Sequence, residues 1–225
     1  MTFEKGHRPL RENHGEWKSY IEWLEGKFES NYLPHPENKQ EYILYGEWCE
    51  KRFLKEMAAR SYLAVKLNPE KRKNAKVIDF YLDGWGYCDL KTQNSPFFMS
   101  QRKYGIDNNR AISFNVKDCI NYAPYLKKGI DVGIFFWVDW KVLSMPKLGS
   151  TPYRWGIYFM RFSEIQKIID ANLARSHEYE NRKEEGTSEW RKEHGQNSDG
   201  NASRSIGLSV DWMEPVLRSS SNPWI

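Results

Sequence analysis

A chain of 225 residues with a net charge of +4 is long enough for one domain with a sizeable core, and its mild basicity permits nucleic-acid binding without requiring it. Three widely spaced cysteines, Cys49, Cys88 and Cys119, form no C-x-x-C and fit a reducing cytoplasm better than a disulfide framework. The histidines lack zinc-ligand spacing, and the longest apolar run, Ile134 to Val138, is far too short for a bilayer, so neither zinc chemistry nor membrane insertion is expected.

Residues 1–13 are polar, with no apolar stretch of the kind a secretory signal needs. Trp17, Tyr20, Ile21, Leu24 and Phe28 then recur at helical spacing, with Asn13 as a candidate cap. A loop with Pro34 and Pro36 leads to a second helix, Glu41 to about Ala59, whose apolar stripe runs through Tyr42, Tyr45, Cys49, Phe53 and Met57. Glu50 sits at the buried edge of that stripe, where an acid needs a reason; Glu47, round the same helix, is the alternative. Ser61 to Leu67 reads as a short strand. The turn after it carries Lys71, Arg72 and Lys73, candidate phosphate contacts.

The stretch Lys76 to Gln93 organises the rest. Two β-prone runs flank Asp83-Gly84-Trp85-Gly86, which reads as a hairpin turn. Alternation along the second strand puts Tyr87, Asp89, Lys91 and Gln93 on one face and Cys88, Leu90 and Thr92 on the other. The face on which Asp79 lies depends on the turn. A two-residue turn pairs Leu82 with Trp85 and leaves Asp79 on the wrong side. A three-residue loop pairs either Leu82 with Gly86 or, with Gly84 left-handed, Tyr81 with Trp85. Both three-residue pairings put Asp79 on the face of Asp89 and Lys91, so a three-residue loop or a bulge is predicted. Facing carboxylates repel unless a cation lies between them, and such oxygen ligands suit Mg²⁺.

Asp79, a short hairpin and then Asp89-Leu90-Lys91 resembles the PD-(D/E)xK nuclease superfamily, with Ile78 where the family nominally has proline. The resemblance spans roughly the middle two-thirds of the chain. It implies a mixed central sheet flanked by helices, with metal ligands Asp79, Asp89, the carbonyl of Leu90 and Glu50. It further implies a catalytic set of Asp79, Asp89, Lys91, Glu50 and Gln93, with Mg²⁺ as cofactor and Mn²⁺ as a substitute. Acid-x-lysine also occurs at Glu16, Glu25, Glu37 and Asp139, but only Asp89 has a partner acid, a turn and a strand together.

Beyond the hairpin, a loop from Asn94 to Asn109 brings Gln101, Arg102 and Lys103, with Arg110 following, as candidate nucleic-acid contacts. Ala111 to Phe114 reads as a strand and Asn115 as the cap of a helix ended by Gly129. Asp131 to Trp140 is the most apolar strand and is expected to be central. A further strand starts at Trp155, and Ser163-Glu164-Ile165-Gln166 fits a capping box for a helix to Ala174. Residues 176–204 are densely charged and read as a long loop, before a last strand at Ser205 to Val210.

The expected architecture is therefore α/β: a helical segment at 1–40, a nuclease core at 41–175, and a polar extension at 176–225 packed on that core. The expected function is Mg²⁺-dependent hydrolysis of DNA phosphodiester bonds, with a homodimer favoured by duplex symmetry. The alternatives are a DNA-binding protein on the same fold without activity, and an RNA-processing nuclease.

Overall fold

The computed structural model describes residues 14–30, 32–34, 39–74, 77–178 and 204–218, and the chain divides into two units between Arg60 and Ser61. The first unit is a pair of helices, α1 (His14–Glu29) and α2 (Lys39–Arg60). Tyr20, Leu24 and Phe28 of α1 form a common core with Leu44, Tyr45, Trp48 and Cys49 of α2. Tyr42, assigned to the apolar stripe from spacing, is 49% exposed, so the buried stripe begins at Leu44 and Tyr45. Because α2 packs against α1, the boundary expected at residue 40 falls inside this unit instead of at its end. Asn13 lies outside the described residues.

The second unit is built on a mixed sheet. Its strands are β1 (Val65–Leu67), β2 (Phe80–Leu82), β3 (Gly86–Gln93), β5 (Gly133–Asp139), β8 (Trp155–Arg161) and β11 (Glu214–Arg218), in that spatial order. Only β3 and β5 run parallel; the other neighbours are antiparallel. A parallel pair needs a crossover, and the chain between them supplies β4 (Ala111–Asn115) and α4 (Val116–Lys127). Gly129, at φ +78°, follows α4 in a left-handed conformation that a residue with Cβ rarely adopts. β4 joins β10 (Arg204–Ser209) and β9 (Ser176–Glu178) in a second sheet, and β6 (Ser144–Met145) pairs with β7 (Gly149–Ser150).

β5 is central, as its composition predicts, and both of its faces are buried. Ile134, Phe136 and Val138 share a core with Phe114, Tyr122, Phe162 and Ile165. Asp89 pairs with Ile134 and Lys91 with Phe136 across the parallel ladder, so the two charged residues sit at the edge of the larger core. Burial on both faces is normal for parallel strands. Asp89 is 8% exposed, as buried as Leu90 on the reverse face.

Several expectations shift. Asn94 to Asn109 contains a short helix, α3 (Ser100–Tyr104), and is not loop throughout. The helix α5 (Phe162–Asp170) starts earlier and ends earlier than the capping-box reading gave. Glu164 accepts the backbone N–H of Arg161 at 3.0 Å, while Ser163 bonds Asp131 through its own N–H (3.0 Å) and hydroxyl (2.6 Å). The box is therefore offset towards the N-terminus. The C-terminal part is no mere extension: β10 and β11 are sheet strands, and Ile206, Leu208, Val210 and Met213 belong to the main core. Residues 179–203 lie outside the described residues.

Candidate active site

The hairpin sets the site. Leu82 pairs with Gly86, Tyr81 with Tyr87 and Phe80 with Cys88, leaving a three-residue loop, Asp83 to Trp85. The Trp85 N–H closes it on the Leu82 carbonyl at 3.0 Å. Gly84 (φ +77°) and Gly86 (φ +125°) adopt conformations that side chains disfavour, which is why both positions are glycine. Continued by one residue, this register puts Asp79 opposite Asp89. Of the two three-residue pairings read from sequence, the Leu82–Gly86 one is found.

Asp79, Asp89 and Lys91 line one cavity of about 600 Å³, together with Asp118, Lys117, Asn121, Tyr122 and Tyr125 from α4. The carboxyls of Asp79 and Asp89 thus share one wall of the cavity. The Asp79 backbone is held by Asn68, a fully buried residue that donates its N–H to the Asp79 carbonyl (2.8 Å) and its side-chain amide to the Ile78 carbonyl (2.8 Å). Asn68 Oδ1 also accepts the Glu70 N–H at 3.1 Å, capping the short 3₁₀ turn Pro69–Arg72. That turn carries Lys71, whose ammonium forms a close ion pair with Asp79 Oδ1.

Asp89 is held differently. Tyr122 donates its hydroxyl to Asp89 Oδ2, and Lys91 Nζ lies 3.4 Å from the same oxygen. The other oxygen, Oδ1, is buried with no hydrogen-bond partner. Burial works most strongly against charge on Asp89, yet the Lys91 ammonium and the Tyr122 hydroxyl outweigh it and hold the carboxyl below its ordinary range. Lys91 also meets Asp118 Oδ1 at 3.3 Å and sits 5.6 Å above the Tyr122 ring. Burial alone would lower the Lys91 pKa, but Asp89, Tyr122 and Asp118 raise it well above the usual value. Lys91 is therefore an ammonium here. Burial pushes Asp118 the other way, upward.

The arrangement suits a hard divalent cation. It offers oxygen donors only, two carboxylates that face each other, and a buried anionic oxygen lacking a donor. Among the described residues no three His, Cys, Asp or Glu side chains are grouped to hold an ion on their own. A Mg²⁺ ion, which keeps several waters and needs one or two carboxylates, matches that donor set.

The remaining candidates lie elsewhere. Gln93 is on the face of the acids but does not line the cavity. Its amide instead joins β3 to β4, donating to the Ala111 carbonyl (3.1 Å) and accepting the Ser113 N–H (3.0 Å). The Leu90 side chain is on the reverse face. Glu50 belongs to the helical unit, half-buried on α2, and Glu47 beside it is exposed. Lys71 is engaged by Asp79, Lys73 is exposed, and the side chain of Arg72 lies outside the described residues. Gln101, Arg102 and Lys103 are on α3, away from the cavity lining, and Arg110 pairs with Asp211 at 2.7 Å on the surface. Sequence reading missed Asp118, Lys117 and Tyr122. Their i, i+4 spacing from Asp118 to Tyr122 is a helical-face signal, but nothing in it points to the hairpin.

No family model and no curated protein matches the chain. Among solved structures, a nuclease from a fusselovirus is similar over 82% of this chain and 89% of that one, at 12% identity and a TM-score of 0.34. A likeness this loose transfers neither fold nor activity. No helix among the described residues is long and apolar enough to cross a membrane.

Proposed function

We propose that the chain is a Mg²⁺-dependent endonuclease that hydrolyses phosphodiester bonds, with DNA as its substrate. The observation that carries this reading is the convergence of Asp79, Asp89 and Lys91 on one cavity in which Asp89 Oδ1 is buried without a donor. It agrees with the resemblance of the Asp79 hairpin and Asp89-Leu90-Lys91 to the PD-(D/E)xK superfamily.

Asp79 and Asp89 would hold the ion, with the Leu90 carbonyl as a further oxygen; Mn²⁺ is expected to substitute. When bound, the ion supplies Lewis acidity and makes water a better nucleophile at neutral pH. Tyr122 orients the Asp89 carboxylate and keeps it ionised by donating to Oδ2. Lys91 acts as a fixed positive charge beside the reacting phosphate, because its pKa lies too far above neutrality for it to take a proton in this state. Asp118 holds the Lys91 ammonium in place from α4. Gln93 braces the strand that carries the site. A homodimer would let two such sites address both strands of a duplex.

The test is plasmid nicking with Mg²⁺, comparing the native chain with Asp89→Ala, and with RNA run in parallel. Nicking by the native protein alone supports the proposal. Binding without nicking by either protein would instead make this a DNA-binding protein, and cleavage confined to RNA would change the substrate.

A further inference from the structure

Lys71 is the one basic residue of the 68–74 turn whose described side chain reaches the acid pair. Its ammonium is paired with Asp79 Oδ1, and both side chains are largely buried, at 20% and 18% exposure. The pairing is built in. Asn68 caps the turn that carries Lys71 and, through its backbone and side-chain N–H groups, also holds the main chain at Ile78 and Asp79. One fully buried residue thus fixes both partners.

Asp79, Asp89 and Asp118 are matched by Lys71, Lys91 and Lys117, so the site is formally neutral before any ion enters. A divalent cation alone would leave it with two positive charges in a half-buried space, where like charges are weakly screened. A cation arriving with a phosphodiester anion would not.

We infer that Lys71 is the resident counter-ion of Asp79, that it keeps metal affinity low in the free protein, and that it turns to a substrate phosphate when the metal takes its place. Metal and nucleic acid then bind with positive cooperativity, each raising the affinity of the other by the same factor. This rests on the metal-dependent reading above. It assigns to Lys71 a role that a merely structural lysine would not have.

The experiment is a Mn²⁺ titration followed by electron paramagnetic resonance, with and without a short DNA duplex bearing phosphorothioate linkages. The native chain, Lys71→Met, Lys71→Arg and Asp89→Asn are compared after thermal melts confirm that each is folded. Lys71→Met should bind Mn²⁺ at least tenfold more tightly in the absence of DNA, yet bind and cleave DNA less well. The native chain should bind Mn²⁺ at least tenfold more tightly once the duplex is present. That gain should shrink in Lys71→Met and persist in Lys71→Arg. Equal or weaker Mn²⁺ binding by Lys71→Met overturns the inference, and if Asp89→Asn still abolishes binding, the metal site itself stands. Absence of Mn²⁺ binding in the native chain, with or without DNA, overturns both.

Discussion

The hairpin presents acid and lysine twice, once at its tip and once at its base, and the two ends behave differently. At the tip, Asp83 meets Lys66 at 2.7 Å, with side chains 54% and 67% exposed. At the base, Asp79, Asp89 and Lys91 line a cavity and Lys71 pairs with Asp79, the four side chains having exposures between 11% and 27%. Exposed pairs exchange water for each other at little net gain, typically under ~1 kcal/mol. Buried charges need partners for every lone pair, and one oxygen of Asp89 has none. The same two residue types thus read as surface decoration at one end and as a candidate site at the other, and solvent access makes the difference.

The strongest way to break that comparison is to neutralise one acid at each end. Asp89→Asn should reduce Mg²⁺-dependent cleavage by about a thousandfold or more, since it removes a charge proposed to hold the ion. Asp83→Asn should leave the rate within about twofold, its pair being exposed. Equal losses in a nicking assay would mean that burial does not separate the ends.

Asn68→Ala should come next. It strips the side-chain hydrogen bond to the Ile78 carbonyl and the cap from the turn of Lys71, while the backbone bond to Asp79 stays, at a cost of about 2–3 kcal/mol by denaturant unfolding. Tyr122→Phe keeps the ring but removes the donor to Asp89 Oδ2, so cleavage should fall about tenfold, with about 1–2 kcal/mol lost in stability. An unchanged rate would show that Asp89 does not depend on α4 for its orientation.

The smallest effect concerns acid stability. Asp89 is held below its ordinary range when folded, so it stabilises the fold above its unfolded pKa of about 3.9. That contribution is lost as pH falls through the lower folded value. In metal-free protein, Asp89→Asn should therefore be less stable than the native chain at neutral pH, with the gap closing below about pH 4. A gap that widened in acid would reverse the sign assigned to Asp89.

Much of the geometry of the candidate site is legible in the residues. Period-two alternation put Asp89 and Lys91 on one face, and the parity of the loop placed Asp79 with them, because local turn geometry leaves few choices. The β5 strand was legible from its apolar run. What the sequence hid was tertiary. Asp118 and Tyr122 join the site only because α4 crosses over the face of β3, and helical periodicity does not say which face a helix covers. The family resemblance implied a catalytic Gln93, but the edge of β4 comes close enough to take both ends of its amide. The domain boundary was misplaced because the loop prolines at 34 and 36 read as a linker, while the aromatic faces of α1 and α2 belong together.

The most direct test of the central claim is diffraction from a crystal soaked in Mn²⁺, recorded at a wavelength where manganese scatters anomalously. The account predicts one anomalous peak between the carboxylates of Asp79 and Asp89, absent from Asp89→Asn. A peak elsewhere with none at that pair, or a peak there that survives Asp89→Asn unchanged, would contradict it.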